Sequence, residues 1–345
     1  MCIRDRLKFV SDSLEVFPLY TWADPLGKNP YSVMHTDHYF PWHFDGNEFT
    51  LSILVQKAEK GGFFEYAPDL RSRDNENFEE VSKVLKGDRK KIKSLNLKPG
   101  DEVIATGYKI GMAEFGGFGE IVHLPSEWVV KLPENLSLYN AMCHGTAGIT
   151  AAECVNKIIK RDISNTLPVL VSGATGGVGS IGVSLLSKLG YEVHAITGKP
   201  DENEMLTSMG ATKIISRSDF MSEPLKPLDK ASYSSAVDTV GGEMLAKMIS
   251  MISNNGVVSC CGNVGGAMFT SSVFPFILRG VQLSGVDSAE SPINLKKELW
   301  NLLANEWLID LNNQTKIVNI QEIDNEIKKI LDGGQIGRVV IKHGE

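Results

Sequence analysis

The pattern of apolar and polar positions changes character along these 345 residues. In the first hundred, apolar runs are short and carry many aromatic and polar neighbours. Phe49–Gln56 reads as a strand rich in β-branched residues and Gly61–Tyr66 as a second, glycine-led strand. A polar helix is expected near Asn77–Leu85. Lys86–Lys98 is basic but alternates with Asp88, Ile92 and Leu95, the pattern of a solvated strand face and not of a nucleic-acid patch. Lys98-Pro-Gly-Asp101 is a sharp turn and the main seam. Beyond it, Asp101–Thr106 and Gly119–Leu124 read as short strands in the style of a small β-barrel.

From about Leu138 the rhythm is different. Strand-like apolar runs at Leu167–Ser172, Glu192–Thr197, Lys213–Ser216, Ser234–Val240, Gly256–Cys260 and Val281–Val286 alternate with helix-period stretches. Those stretches are Ser180–Leu189, Glu202–Met209 and Glu243–Ile252. Such alternation specifies a parallel sheet covered on both faces, so an α/β, doubly wound domain is expected over 138–288. Gly190 and Gly210 each follow a helical stretch, where a left-handed cap favours glycine.

Composition narrows the function classes. With 42% hydrophobic and 22% charged residues the chain is of globular type, and its net charge of -7 argues against nucleic-acid binding. Cys2, Cys143, Cys154, Cys260 and Cys261 are odd in number and form no CxxC pair, which points away from a disulfide framework or zinc knuckle and toward a reducing cytoplasm. Cys260 and Cys261, as neighbours on a strand, point to opposite faces and read as small core residues. No apolar run approaches the roughly 20 residues of a membrane span, and Met1–Arg6 lacks the apolar stretch of a signal peptide. A soluble, unexported protein that meets no membrane is expected.

The chemistry-bearing signal is Gly173-Ala-Thr-Gly-Gly-Val-Gly179, which follows one expected strand and opens the next expected helix. Gly173 would permit a tight turn, Gly176 and Gly177 would let the backbone approach a pyrophosphate, and Gly179 would let the helix lie close on the sheet. The helix N-terminus would then face the anion. The next strand ends in Thr197-Gly198-Lys199, where an acid would select the ribose hydroxyl of NAD and an ammonium favours the 2′-phosphate of NADPH. Asp201-Glu202 could start the next helix or reach the ribose. Asp238, at the end of a later strand, could cap the following helix or meet a cofactor.

Together, Gly145-Thr-Ala-Gly-Ile-Thr150, the glycine turn, Phe274-Pro-Phe-Ile-Leu-Arg279, Gly285-Val-Asp-Ser288 and Gly337-Arg338-Val-Val resemble the zinc-free medium-chain reductases of the acryloyl-CoA reductase type, over about 100–342. The resemblance implies a Rossmann domain over 138–288 and homodimers. The implied reaction is NADPH-dependent reduction of the carbon–carbon double bond of an acyl-CoA substrate, with charge building on the thioester oxygen. It places Thr175 to Val178 on the pyrophosphate and Thr197, Gly198 and Lys199 on the 2′-phosphate. Asn263, Ile277 and Ser288 fall on the nicotinamide side, with Thr146, Lys213 and Arg338 as further cofactor contacts. No metal is implied, since the zinc-ligand cysteines of the alcohol-dehydrogenase branch have no counterpart. Most of the family's opening portion is missing, which leaves 101–137 and 289–345 as a truncated GroES-like β domain and names no proton donor.

Residues 7–100 carry another likeness. Trp42-His43-Phe44-Asp45 holds a histidine and a carboxylate at spacing two, on one side of a strand, as an iron(II) facial triad requires. With Asn47–Gln56 and Gly61–Tyr66 it resembles the first half of a 2-oxoglutarate/Fe(II) dioxygenase, a partial double-stranded β-helix fragment. The third ligand and the 2-oxoglutarate-binding base should follow the Pro-Gly-Asp turn, but His123 is the next histidine and no arginine separates it from Arg161. His43 and Asp45 therefore read as an incomplete Fe(II)/2-oxoglutarate site, and His35 and His38 as loop residues. Met1–Arg6 matches neither family, and the whole reads as a chimera joined at the turn. An iron hydroxylase and a non-catalytic NADPH-binding protein stand as alternatives to the reductase.

Overall fold

The computed structural model describes residues 64–66, 77–90, 93–95, 97, 100–113, 116–119, 122, 124–161 and 166–343. The chain divides into two compact units, 1–100 and 101–345. In the first, strand β1 (Phe64–Tyr66) is followed by helix α1 (Phe78–Leu85) and pairs antiparallel with β2 (Lys93–Leu95), Phe64 lying opposite Leu95. Glu79 and Glu80 stand in the first turn of α1, and Lys83 reaches them at 2.8 and 2.7 Å, acids early and base late as the helix dipole prefers. The strand ending at Tyr66 and the helix near Asn77 agree with the sequence pattern. Phe49–Gln56 and the iron-site residues His43 and Asp45 lie outside the described residues.

The second unit opens with β3 (Val103–Ala105), which pairs antiparallel with β4 (Val129–Lys131). Gly119–Leu124 was the other strand expected here, yet among its described residues Gly119, Val122 and Leu124 carry no strand. Val130 is buried opposite Ile104 and anchors the pair. Next comes α2 (Leu138–Ile159), capped by Ser137, whose hydroxyl accepts from the Asn140 amide at 3.1 Å.

The sheet then forms in chain order: β5 (Val169–Val171), α3 (Gly177–Lys188), β6 (Val193–Thr197), α4 (Asn203–Ser208), β7 (Lys213–Ser216), α5 (Arg217–Ser222), β8 (Ser235–Asp238), α6 (Gly242–Ser250), β9 (Val257–Cys260), α7 (Phe274–Arg279) and β10 (Gln282–Gly285). All six strands are parallel, in the order β10-β9-β8-β5-β6-β7. Each falls inside an expected run. Val169 and Val171 face one apolar core, beneath α2 and α3, while Leu170 faces another beneath α6, which is the two-sided burial that a parallel sheet requires. The strand order reverses between β5 and β8, the place where such sheets leave a crevice at their carboxyl ends. Helix α3 begins at Gly177, earlier than the apolar period suggests, because the glycine run itself enters the helix.

After β10 come α8 (Ile293–Ala304), β11 (Thr315–Asn319), α9 (Ile323–Leu331) and β12 (Arg338–Lys342); β11 and β12 pair in parallel. Among the described residues no helix is long and apolar enough to cross a membrane.

Candidate nucleotide site

The turns that follow β5, β8 and β9 stack at the carboxyl edge of the sheet with almost no space between backbones. Gly173 has φ 59°, and a methyl added to it would lie 2.3 Å from Thr239 Oγ1. One added to Gly262 would lie 2.0 Å from the Thr239 carbonyl oxygen, and one on Gly179 2.3 Å from that of Gly173. Glycine at 173 and 179 is therefore obligatory for the turn to fold back under the start of α3. No side chain caps α3 at Gly176, so its first amides and the positive end of its dipole are left for an anion.

Asp238 answers the question its sequence position left open. Its buried carboxylate accepts from Ser172 Oγ at 2.6 Å and from the amides of Val240 and Gly241 at 3.2 and 2.9 Å. Burial pushes its pKa up, against these three donors. It ties the β5 and β8 turns together and its oxygens are spent on that task.

A cation approaches the glycine turn from the far end of the chain. Helix α2 breaks at Gly145 (φ 49°, ψ -149°), and Arg338 Nε donates to the Cys143 carbonyl at 3.1 Å. The Arg338 guanidinium lies 3.3 Å from where a Gly177 side chain would begin, and a methyl on Gly145 would meet its Nη2 at 2.6 Å. Burial pushes the Arg338 pKa down, and among the described residues no carboxylate pairs with it. A desolvated guanidinium beside an uncapped helix N-terminus brings two positive ends together, an arrangement that an anionic diphosphate would neutralise. The loop before Arg338 closes the turn, with Gly337 N–H donating to the Thr175 carbonyl at 3.0 Å and Lys199 Nζ to that of Gln335.

At the end of β6, Thr197 Oγ1 accepts from Lys199 N–H at 2.9 Å and lies 3.2 Å from Thr175 Oγ1. The residue absent from the sequence reading is Arg217, whose Nη2 lies 2.9 Å from where a Gly198 side chain would start. Lys199 is pushed down by burial and then by the Arg217 charge, partly opposed by Glu202. Lys213 is a correction. It opens β7 opposite His194, whereas Ser216, opposite Thr197, ends that strand at the site, so the expected contact sits at the wrong end. The sequence signal for Arg217 was its position just past the strand end.

The remaining expected residues are less tightly gathered. Ser288 is buried with Oγ 2.5 Å from Thr150 Oγ1, and Thr150 also donates to the Thr146 carbonyl at 2.7 Å. Thr146 and Asn263 are exposed, Asn263 in the turn that packs on Gly241, and Ile277 is exposed on α7. His144, behind Gly145, is buried edge-on to Trp300 at 6.2 Å, with Nδ1 unpartnered. Burial first and the Arg338 charge second push its pKa down to about 4, so it is neutral at pH 7.

This architecture, a doubly wound parallel sheet with a glycine turn at its switch point, defines a dinucleotide-binding dehydrogenase fold. The family model for zinc-binding dehydrogenases matches residues 177–305. The acrylyl-CoA reductase AcuI of Ruegeria pomeroyi is 38% identical over 71% of this chain and 74% of its own length. The crystal structure of the Bacillus subtilis protein YhfP with NAD bound is 42% identical, covers 71% of this chain and 76% of that one, and superposes with a TM-score of 0.70. That of Escherichia coli K-12 YhdH with bound NADPH is 34% identical, covers 73% and 79%, and also gives 0.70. The chain belongs to the zinc-binding dehydrogenase family of medium-chain oxidoreductases. The family's name implies zinc, but among the described residues no three His, Cys, Asp or Glu side chains gather as ligands, and Cys143 and Cys154 are buried within α2. These relatives lend nothing to the iron(II) reading of residues 7–100.

Proposed function

We propose that the chain binds NADPH and reduces the carbon–carbon double bond of an enoyl thioester such as acryloyl-CoA without a metal. The observation that carries this reading is the meeting of the uncapped α3, the glycine turn and the acid-free Arg338 at one point. There the α3 amides and Arg338 would hold the diphosphate, while Lys199 and Arg217 would flank the 2′-phosphate. Thr146, Asn263, Ile277 and Ser288 would lie toward the nicotinamide. When bound, that ring supplies the hydride. The task of this chain's own residues is to orient it and to keep water from the diphosphate.

The AcuI relative, whose name states acrylyl-CoA reduction, supports this substrate class. The paired cations favour NADPH, although YhfP was crystallised with NAD. Residues 101–137 and 289–345 would form the substrate side. The free edge of β10, with exposed Val264, Met268, Val273 and Leu278 nearby in sequence, supports a homodimer.

The test mixes purified protein with NADPH or NADH, with and without acryloyl-CoA, and follows nucleotide fluorescence and loss of the reduced-nicotinamide absorbance. Binding of NADPH in preference to NADH, with oxidation only when acryloyl-CoA is present, is the expected result. Binding without oxidation would leave a non-catalytic nucleotide-binding protein. Absence of both would end the reading.

A further inference from the structure

Lys296 lies on the buried face of α8 beside Leu299, Trp300 and Leu303 and is 1% exposed. Its Nζ donates to the carbonyls of Thr106 and Ala289, each at 2.8 Å, and sits 3.4 Å from the centre of the Tyr108 ring. The two carbonyls belong to separate irregular segments, one following β3 and one following β10. Tyr108 joins the same segments, its N–H donating to Ala289 O at 2.9 Å and its hydroxyl to Ser291 O at 3.2 Å.

This junction is tight. Tyr108 has φ 51°, a left-handed conformation that a tyrosine keeps only where its surroundings hold it. A methyl on Gly107 would lie 2.6 Å from Ala289 Cα. On its other side the 287–291 turn is tied to α2, through Ser291 Oγ donating to Glu153 Oε2 at 2.6 Å and through the contact of Ser288 with Thr150. An apolar side chain would fill the Lys296 position without the cost of burying an ammonium. What it could not do is satisfy two loop carbonyls at once.

We propose that Lys296 is a positioning residue for the nicotinamide end of the site, clamping the 287–291 turn so that Ser288 is held against Thr150. The proposal rests on the reading of Ser288 as a nicotinamide-side contact. The groups facing the ammonium are Tyr108 from the segment after β3, Asp287 and Glu290 from the turn, and Glu153 from α2. Burial outweighs those acids and brings the Lys296 pKa down to about 8. The charge that strengthens both hydrogen bonds is therefore lost as pH rises through 8.

The experiment titrates the full chain with NADPH and with 2′,5′-ADP, which lacks the nicotinamide. K296M is expected to weaken NADPH binding about tenfold, the worth of a charge-assisted hydrogen bond, and to leave 2′,5′-ADP within about twofold. K296R should restore NADPH affinity. In the unmodified chain, affinity for NADPH but not for 2′,5′-ADP should fall above pH 8, and K296R should abolish that fall. Should K296M not fold, Y108F, which removes only the link to Ser291, is expected to weaken NADPH alone. Equal weakening of both ligands, or an NADPH affinity that neither K296M nor pH above 8 alters, would overturn the clamp. If the unmodified chain binds 2′,5′-ADP but not NADPH, the nicotinamide-side reading falls and takes the clamp with it. If it binds neither ligand, the nucleotide site itself is wrong.

Discussion

In the six-stranded sheet, β5 and β8 are buried along their whole length, whereas in β11 only Val318 is buried and in β12 no residue is. The parallel sheet is sandwiched between helices on both faces and carries its own two cores. Strand pairs β3–β4 and β11–β12 are two-stranded, a size that is marginal alone, and they borrow burial from elsewhere. Ile104 and Val130, for example, join the core that Val169 and Val171 of the parallel sheet already share with α2 and α3. The parallel sheet thus supplies the core, while the two-stranded pairs depend on neighbouring helices and on polar ties such as Lys296.

Four experiments would break or sharpen this contrast, the largest effect first. Leu170→Ala should cost about 3 kcal/mol of unfolding free energy, as for a buried leucine, and Ile317→Ala, 51% exposed on β11, about 0.5. Equal losses in denaturant titrations would erase the distinction. The second probes the buried histidine beside the break in α2. His144 falls from its ordinary 6.5 to about 4 on folding, so the unfolded chain binds the extra proton first. Stability should decline as pH drops from 6.5 to 4, by about 3 kcal/mol in all, and not further below from this group. His144→Phe should flatten that decline; an unchanged acid slope would place the sensitivity elsewhere.

Next, Gly179→Ala forces a methyl against the Gly173 carbonyl, and about 2 kcal/mol of destabilisation with loss of nucleotide binding is expected. Calorimetry together with a nucleotide titration reads both. Smallest is the pair Arg217→Ala and Lys213→Ala. The first should reduce NADPH affinity about tenfold and leave NADH nearly unchanged, whereas the second should alter neither, since Lys213 stands at the far end of β7. A loss confined to the Lys213 variant would reverse the placement.

Much of the sheet was legible because its signals are local. Val169–Val171 is an unbroken apolar strand and Gly173–Gly179 a turn whose glycines follow from its own geometry, so neighbours in sequence were enough to read them. The strand Val129–Lys131 went unread, because its pairing with β3 depends on which segment reaches Ile104 in the folded chain. Lys213, carried over from the family resemblance, opens β7 at the end away from the carboxyl edge where such sheets bind ligands.

Sequence alone determined the doubly wound sheet, its glycine turn and the ammonium of Lys199 after β6. Tertiary structure alone decided that Arg338 meets the Gly145 break in α2, that Arg217 stands beside Gly198, and that Lys296 bridges Thr106 and Ala289. The reason is physical. Helix, strand and turn preferences act over a few residues, whereas these cations are placed by contacts that span up to 195 residues and exist only once the chain has closed on itself.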